Sequence, residues 1–213
     1  MEIIHSSIQD YLSAHSRHLT PELEELERQT YLSVLLPNMI SGKEQGTFLN
    51  LFFGVLKPKL ALEIGTFTGY SAISMALAMD DDATLITIDV NEELEGLVRE
   101  FVSKSGLEHK IDYRLGDAMQ MIDSIEDNTL DIVFIDADKR NYPNYVIKLK
   151  PKLKKEGILM IDNVLWHGKV VLDNPNKDTQ AILDTNKMVF DDLDFITSIV
   201  PIRDGILIAR KIN

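Results

Sequence analysis

Three polar groups sit where apolar runs end. Asp136 closes Ile132-Val-Phe-Ile135, Asp162-Asn163 closes Ile158-Leu-Met-Ile161, and Asp89 closes Leu85-Ile-Thr-Ile88. Asp136, Asp162 and Asn163 together offer oxygen donors without histidine or cysteine, a set suited to a hard cation. Mg2+ or Ca2+ fits it, Mn2+ is tolerated, and zinc is a poorer match. Taken singly, each residue has a plainer reading: Asp136 as the cap of the next helix, and Asp162-Asn163 as an Asx turn. Lys139, just past Asp136, is placed for an ion pair with Asp136 or Asp138.

A second set of residues reads as a ligand-binding turn. Residues 60–70, Leu-Ala-Leu-Glu-Ile-Gly-Thr-Phe-Thr-Gly-Tyr, run from an apolar stretch through a carboxylate and two glycines into an alanine-rich helical pattern over 70–78. That is strand, turn and helix. Gly65 and Gly69 permit a tight turn and close backbone approach, and the first N–H groups of the helix are available to a polar ligand. Phe67 stands where a dinucleotide fingerprint has its middle glycine, so NAD is a poor match. Glu63 and Asp89 suit a ligand that carries a ribose diol and positive charge: Asp89 can accept both hydroxyls, and Glu63 can offset the cationic end. S-adenosylmethionine has that ribose, a sulfonium and an amino group, and no phosphates. The plainer reading is an ordinary strand–helix turn with solvated acids.

The pattern of elements places these groups on one kind of scaffold. Helices are predicted over 3–16, 21–35 (opened by Thr20-Pro21) and 44–56, with the 39–42 loop leaning over the turn. Strand and helix then alternate: strand 84–89, helix 92–105, strand 111–115, a helix from Gly116-Asp-Ala118 through Ile125, strand 131–136, helix 142–150 and strand 158–161. Alternation of this kind builds a parallel sheet, with ligands at the carboxyl ends of its strands. Segments 195–200 and 205–209, joined through a proline and Asp204-Gly205, read as a hairpin that adds an antiparallel edge. His15 and His18 have metal-compatible spacing but no third ligand nearby. The lysines at 148, 150, 152, 154 and 155 read as a solvated helix end.

Composition narrows the function classes. A chain of 213 residues with 45% apolar content can bury one substantial core, so a single domain over 1–213 is the expectation. Its formal net charge of −12 repels phosphate backbones and anionic lipid, which argues against nucleic acid and membrane surfaces as partners. With no cysteine there are no disulfides and no thiolate nucleophile. The chain shows neither a secretory leader pattern nor a bilayer-length apolar run, and a cytoplasmic enzyme is expected.

Glu63-Ile-Gly-Thr-Phe-Thr-Gly-Tyr-Ser71, Ile135-Asp-Ala-Asp-Lys139 and Asp162-Asn-Val-Leu-Trp-His-Gly168 resemble the cation-dependent O-methyltransferases of the caffeoyl-CoA and catechol type, as do Gly116-Asp-Ala118 and Asp204-Gly-Ile206. The resemblance implies a Rossmann-like class I methyltransferase fold: a mostly parallel seven-stranded sheet with an antiparallel C-terminal hairpin and helices on both faces. Residues 57–213 would form that core, and the helices of 1–56 would cover the site and make homodimer contacts. It further implies donor contacts at Ser41, Glu63, Gly65, Thr66, Ser71, Asp89 and Ala118, and metal ligands at Asp136, Asp162 and Asn163. Lys139 would be base or positioning group, Asp136 would be catalytic through its ligand, and Asp138 and Trp166 would touch the acceptor. Plant members carry a basic residue in an N-terminal arm, and no counterpart of it is expected in this chain. A simple phenolic catechol therefore stands beside a caffeoyl ester as substrate. The competing readings are an NAD(P)-binding oxidoreductase, disfavoured by Phe67 and the lack of a Tyr-x-x-x-Lys pair, and a non-catalytic donor-binding module.

Overall fold

A computed structural model of the protein describes residues 4–213. The chain forms two compact units, one spanning Ser6–Asp117 and the other built mainly from Ala118–Asn213.

In the first unit, α1 (Ser6–Ala14), α2 (Pro21–Ser33) and α3 (Gly42–Leu56) precede the first strand. The Thr20 hydroxyl accepts the Leu23 N–H at the head of α2, and Pro21 takes the first helical position, where its missing N–H needs no partner. α1 is shorter than the expected 3–16, of which Ile3 lies outside the described residues. It buries none of its side chains, so packing does not extend it. After these helices come β1 (Leu60–Ile64), α4 (Tyr70–Ala76), β2 (Thr84–Asp89), α5 (Glu95–Lys104) and β3 (Ile111–Leu115). β1 pairs parallel with β2, and β2 with β3. Every residue of α4 is buried. It accommodates α3 because Gly46 has no side chain: a Cβ there would lie 2.7 Å from Tyr70 Cε1 and 2.8 Å from Ser74 Oγ. Leu49 and Phe53, both fully buried, continue the same face of α3.

The second unit contains α6 (Ala118–Met121), β4 (Leu130–Ile135), α7 (Tyr142–Leu149), β5 (Leu153–Ile161), α8 (Lys177–Asp191), β6 (Phe195–Val200) and β7 (Ile206–Lys211). β4 and β5 are parallel; β7 pairs antiparallel with both β5 and β6. Two features depart from expectation. β5 begins at Leu153 rather than 158, because Leu153 pairs with Leu130 before the register jumps to Ile132↔Ile158. Residues 154–157 take up the jump, with Glu156 at φ 67° and a Gly157 whose Cβ would meet the Lys154 carbonyl at 2.8 Å. The expected solvated lysine end is accordingly a set of ion pairs: Lys148 with Asp123, Lys150 with Asp192 and Asp194, Lys152 with Asp127 and Lys154 with Asp131. The second departure is α8, which the sequence reading did not anticipate. Its buried face is Thr179, Ile182, Thr185 and Val189, so threonines dilute the apolar spacing. Asn176 caps it, accepting from the Thr179 N–H and hydroxyl at 2.8 Å each.

The strands follow the order β3-β2-β1-β4-β5-β7-β6 in one seven-stranded sheet, with β7 antiparallel to both of its neighbours. This is the expected mixed sheet. Among the described residues, no helix is long and apolar enough to cross a membrane.

Replacing Gly46 by valine forces a branched side chain onto Tyr70 and Ser74. Overpacking of this kind costs about 1–3 kcal/mol, which exceeds the small helix-propensity gain over glycine. Thermal unfolding of Gly46→Val is therefore expected roughly 3–10 °C below the parent protein. An unchanged midpoint would contradict the close α3–α4 packing.

Candidate active site

The glycine turn after β1 is held by a buried carboxylate. Glu63 is fully buried on β1, and its two oxygens accept the hydroxyls of Ser71, on α4, and Thr87, on β2. Thr87 also shares a hydrogen bond with Thr66, which is 1% exposed. A buried carboxylate must be satisfied in this way, because stranding it would forfeit its whole hydration. The consequence is mechanical: strand, turn and helix are tied to one charge. Gly65 donates to the Ile88 carbonyl at 2.9 Å and Gly69 to Thr66 at 2.8 Å, with Gly65, Phe67 and Gly69 at φ 97°, 49° and 92°. At the end of β2, Asp89 accepts the Phe67 N–H at 2.7 Å on one oxygen and the Asn91 N–H at 2.9 Å on the other. The left-handed Phe67 is thus pinned to the acid next door, which sets that carboxylate at the mouth of the turn. Ser41 is buried at the head of α3, in the same unit.

In the other unit, the tips of β4 and β5 lie side by side. Ile135 pairs with Ile161, and the Asp162 N–H donates to the Ile135 carbonyl at 2.9 Å. Asp136 and Asp162-Asn163 therefore leave adjacent strands. The Lys139 ammonium bonds Asp136 Oδ1 at 3.0 Å, Asn163 Oδ1 at 2.6 Å and the Tyr142 hydroxyl at 2.6 Å. Tyr142, fully buried at the start of α7, donates its own proton to the Asp162 carbonyl at 3.0 Å. Asp162 is 2% exposed and its Oδ1 accepts the Asn163 N–H at 2.8 Å, with Asn163 in the left-handed region at φ 60°. Of the two ion pairs open to Lys139 on sequence grounds, the structure forms the one with Asp136. Asp138 instead accepts from Tyr145 at 2.8 Å and Asn141 at 2.6 Å, anchoring the entry to α7. Ala118 opens α6 and is buried.

Asp136, Asp162 and Asn163 fit a hard cation in one observable respect: oxygens of Asp136 and Asn163 already converge on a single positive charge. Their chemistry is carboxylate and amide oxygen, the set that Mg2+ and Ca2+ prefer. Among the described residues, no group of three or more His, Cys, Asp or Glu side chains is placed to hold a metal ion, so any such site would depend on the Asn163 amide.

Trp166 lies beyond this cluster, its ring centre 6.0 Å from the Lys139 ammonium and 5.5 Å from that of Lys169. Its indole N–H is buried without a partner among the described residues. The loop carrying it, with Trp166, His167 and Gly168 at φ 47°, 53° and 74°, is fastened from below. Asp204 Oδ1 accepts the His167 N–H, the Asp204 and Gly205 carbonyls accept from Leu165 and Val164, and Asn186 donates to the Val164 carbonyl. Thr87, Tyr142, Asn186 and Asp204 are the positioning residues the sequence reading missed. Thr87 had a visible sign, a lone hydroxyl within the apolar Leu85-Ile-Thr-Ile88. The two histidines serve separate partners: His15 bonds the Tyr11 carbonyl, and His18 the Tyr70 hydroxyl.

A glycine turn between a parallel strand and a helix, with an acid ending the next strand, is the arrangement of an α/β enzyme that receives a nucleoside-bearing ligand. Residues 13–212 match the O-methyltransferase family. The probable caffeoyl-CoA O-methyltransferase 2 of Dictyostelium discoideum is 37% identical over 98% of this chain and 93% of its own. Caffeoyl-CoA O-methyltransferase 2 of Populus trichocarpa is 37% identical over 82% of this chain and 76% of its own. Among solved structures, an O-methyltransferase described as putative from Klebsiella pneumoniae superposes with a TM-score of 0.88 at 26% identity, covering 97% of both chains. The chain belongs to the O-methyltransferase family.

Two tyrosines beside these carboxylates resist ionisation. Burial, reinforced by the charges of Asp89 and Glu95, pushes Tyr113 up to about 12. Burial, reinforced by Asp136 and Asp162, pushes Tyr142 well above the usual phenol value. A raised folded value means the neutral form is favoured in the fold. Its contribution to stability is fully present below the unfolded value near ~10 and is lost as pH climbs through the folded one. Thermal midpoints are thus expected to fall as pH rises above ~10, with both phenols of the folded protein ionising at higher pH than a free tyrosine. Six tyrosines that all ionise near ~10 with the fold intact would contradict the burial of these two.

Proposed function

We propose that the protein transfers the methyl group of S-adenosylmethionine to one hydroxyl of a catechol-like, vicinal dihydroxyphenyl small molecule, as a free phenol or an ester, with the aid of a divalent cation. Mg2+ is the preferred ion, with Ca2+ and Mn2+ as substitutes. The observation that carries the proposal is the convergence of Asp136 and Asn163 oxygens on one positive centre at neighbouring strand tips, in a member of this family. The relatives named for caffeoyl-CoA support an aromatic acceptor.

In this reading Asp136, Asp162 and Asn163 hold the cation, which when bound would polarise the acceptor's adjacent oxygens and make the reacting hydroxyl more acidic. The remaining work belongs to the chain. Glu63 fixes the Gly65–Gly69 turn through Ser71 and Thr87, and Gly65, Thr66 and Ser71 meet the donor there. Asp89, oriented by the Phe67 and Asn91 N–H groups, accepts the ribose hydroxyls. Ser41 and Ala118 complete the donor contacts. Lys139 takes or steers the proton that leaves the acceptor as the methyl group passes from sulfur to oxygen. Asp138, held by Tyr145 and Asn141, flanks the acceptor. Trp166 does so with an indole N–H that has no acceptor among the described residues. The same proposal takes 1–213 as one catalytic domain and pairs two copies through the N-terminal helices, where Leu32, Leu35, Leu51 and Val55 are exposed.

The test is S-adenosylhomocysteine release from the full chain with catechol, a monophenol or no acceptor, with and without EDTA. Turnover is expected with the vicinal diol alone, abolished by EDTA and restored by excess Mg2+. Turnover indifferent to EDTA, or equal with the monophenol, would overturn the role assigned to the cation.

A further inference from the structure

We infer that Lys139 is a built-in rival of the divalent cation: its ammonium occupies the Asp136–Asn163 oxygen pair, and an ion binds there only by driving it out. The inference rests on the cation reading above and adds to it a determinant of affinity.

The geometry carries it. Asp136 Oδ1 and Asn163 Oδ1 lie 3.0 and 2.6 Å from the same nitrogen, in a site where the Lys139 and Asp136 side chains are 13% and 23% exposed. A divalent ion and the ammonium compete for these oxygens at this range, since like charges in a poorly solvated cleft each disfavour the other. The contest is therefore for the same atoms. The displaced ammonium need not return to water. The Tyr142 hydroxyl, 2.6 Å away, is fixed by its own bond to the Asp162 carbonyl. The faces of Tyr142 and Trp166, 4.8 and 6.0 Å from the nitrogen, offer it a cation–π shelf.

The arrangement has two consequences of opposite sign. Without an ion, Lys139 neutralises the carboxylate at the tip of β4 and supports the fold. With an ion, the same contacts have to be broken, so the lysine weakens the affinity it would otherwise leave to the oxygens alone. Removing the ammonium while keeping the apolar stem separates the two effects. Lys139→Met is expected to unfold at a lower temperature than wild type in EDTA, yet to bind Mn2+ about tenfold more tightly, as follows when a charge-assisted hydrogen-bond set no longer opposes the ion.

Mn2+ binding to both full-length proteins is measured by the electron paramagnetic resonance of the free ion. In parallel, Mg2+ is titrated against the emission of Trp166, the chain's single tryptophan. The expected result is tighter binding by the variant and an emission change on Mg2+ saturation in wild type, where the ammonium shifts relative to the indole face, that is lost or much reduced in the variant. Equal or weaker Mn2+ binding by Lys139→Met overturns the inference and leaves the cation reading standing. Binding by neither protein overturns both. Should the variant fail to fold, the wild-type titration decides alone: an ion that binds without altering Trp166 emission means the ammonium has not moved, and the inference falls.

Discussion

Carboxylates at the ends of sheet strands must find partners, and this chain meets that constraint in two ways. Glu63 is satisfied by neutral hydroxyls, those of Ser71 and Thr87. Asp136 is satisfied by a full positive charge, that of Lys139, which reaches Asn163 and Tyr142 as well. The difference in partner separates the roles. A carboxylate closed off by hydroxyls is a fixture that sets the shape of a turn. One balanced by an ammonium at a partly exposed strand tip is the one for which an exchange of counter-charge is proposed.

The rest of each unit is arranged around that distinction. In the Ser6–Asp117 unit, the Gly46 contact lets α3 lie against a fully buried α4, whose head supplies Ser71 to Glu63. In the Ala118–Asn213 unit, the register of β4 on β5 brings Asp136 next to Asp162, and the buried Tyr142 ties α7 to the Asp162 backbone. The strained Asn163–Gly168 loop persists because α8, through Asn186, and the Asp204-Gly205 turn hold it. Backbone in the left-handed region at asparagine, tryptophan and histidine is retained only where its surroundings over-determine it.

Much of this was legible in the sequence because it is written in short range. Period and termination give β2, β3 and β6 with the bounds expected, and the strand–helix alternation gives the mostly parallel sheet with its antiparallel edge. The candidate site residues stood out in the sequence because carboxylates end several of its apolar runs. What escaped was long-range or disguised. α8 hides its buried face behind Thr179 and Thr185, and β5 starts early through an irregularity that local propensity does not announce. Thr87, Asn186 and Asp204 act on residues distant in the chain, and no local pattern names a partner more than 20 residues away. Which of Asp136 and Asp138 Lys139 would choose depended on the Tyr145 hydroxyl claiming Asp138 first.

The central claim is that the oxygens now engaged by Lys139 belong to a hard-cation site. The most direct measurement is anomalous scattering from crystals grown with Mn2+ and S-adenosylhomocysteine. The account calls for a peak within about 2–2.6 Å of oxygens from Asp136, Asp162 and Asn163, with the Lys139 ammonium moved off Asp136 and Asn163. No peak at those strand tips, with Lys139 still bonded to both residues, would contradict it.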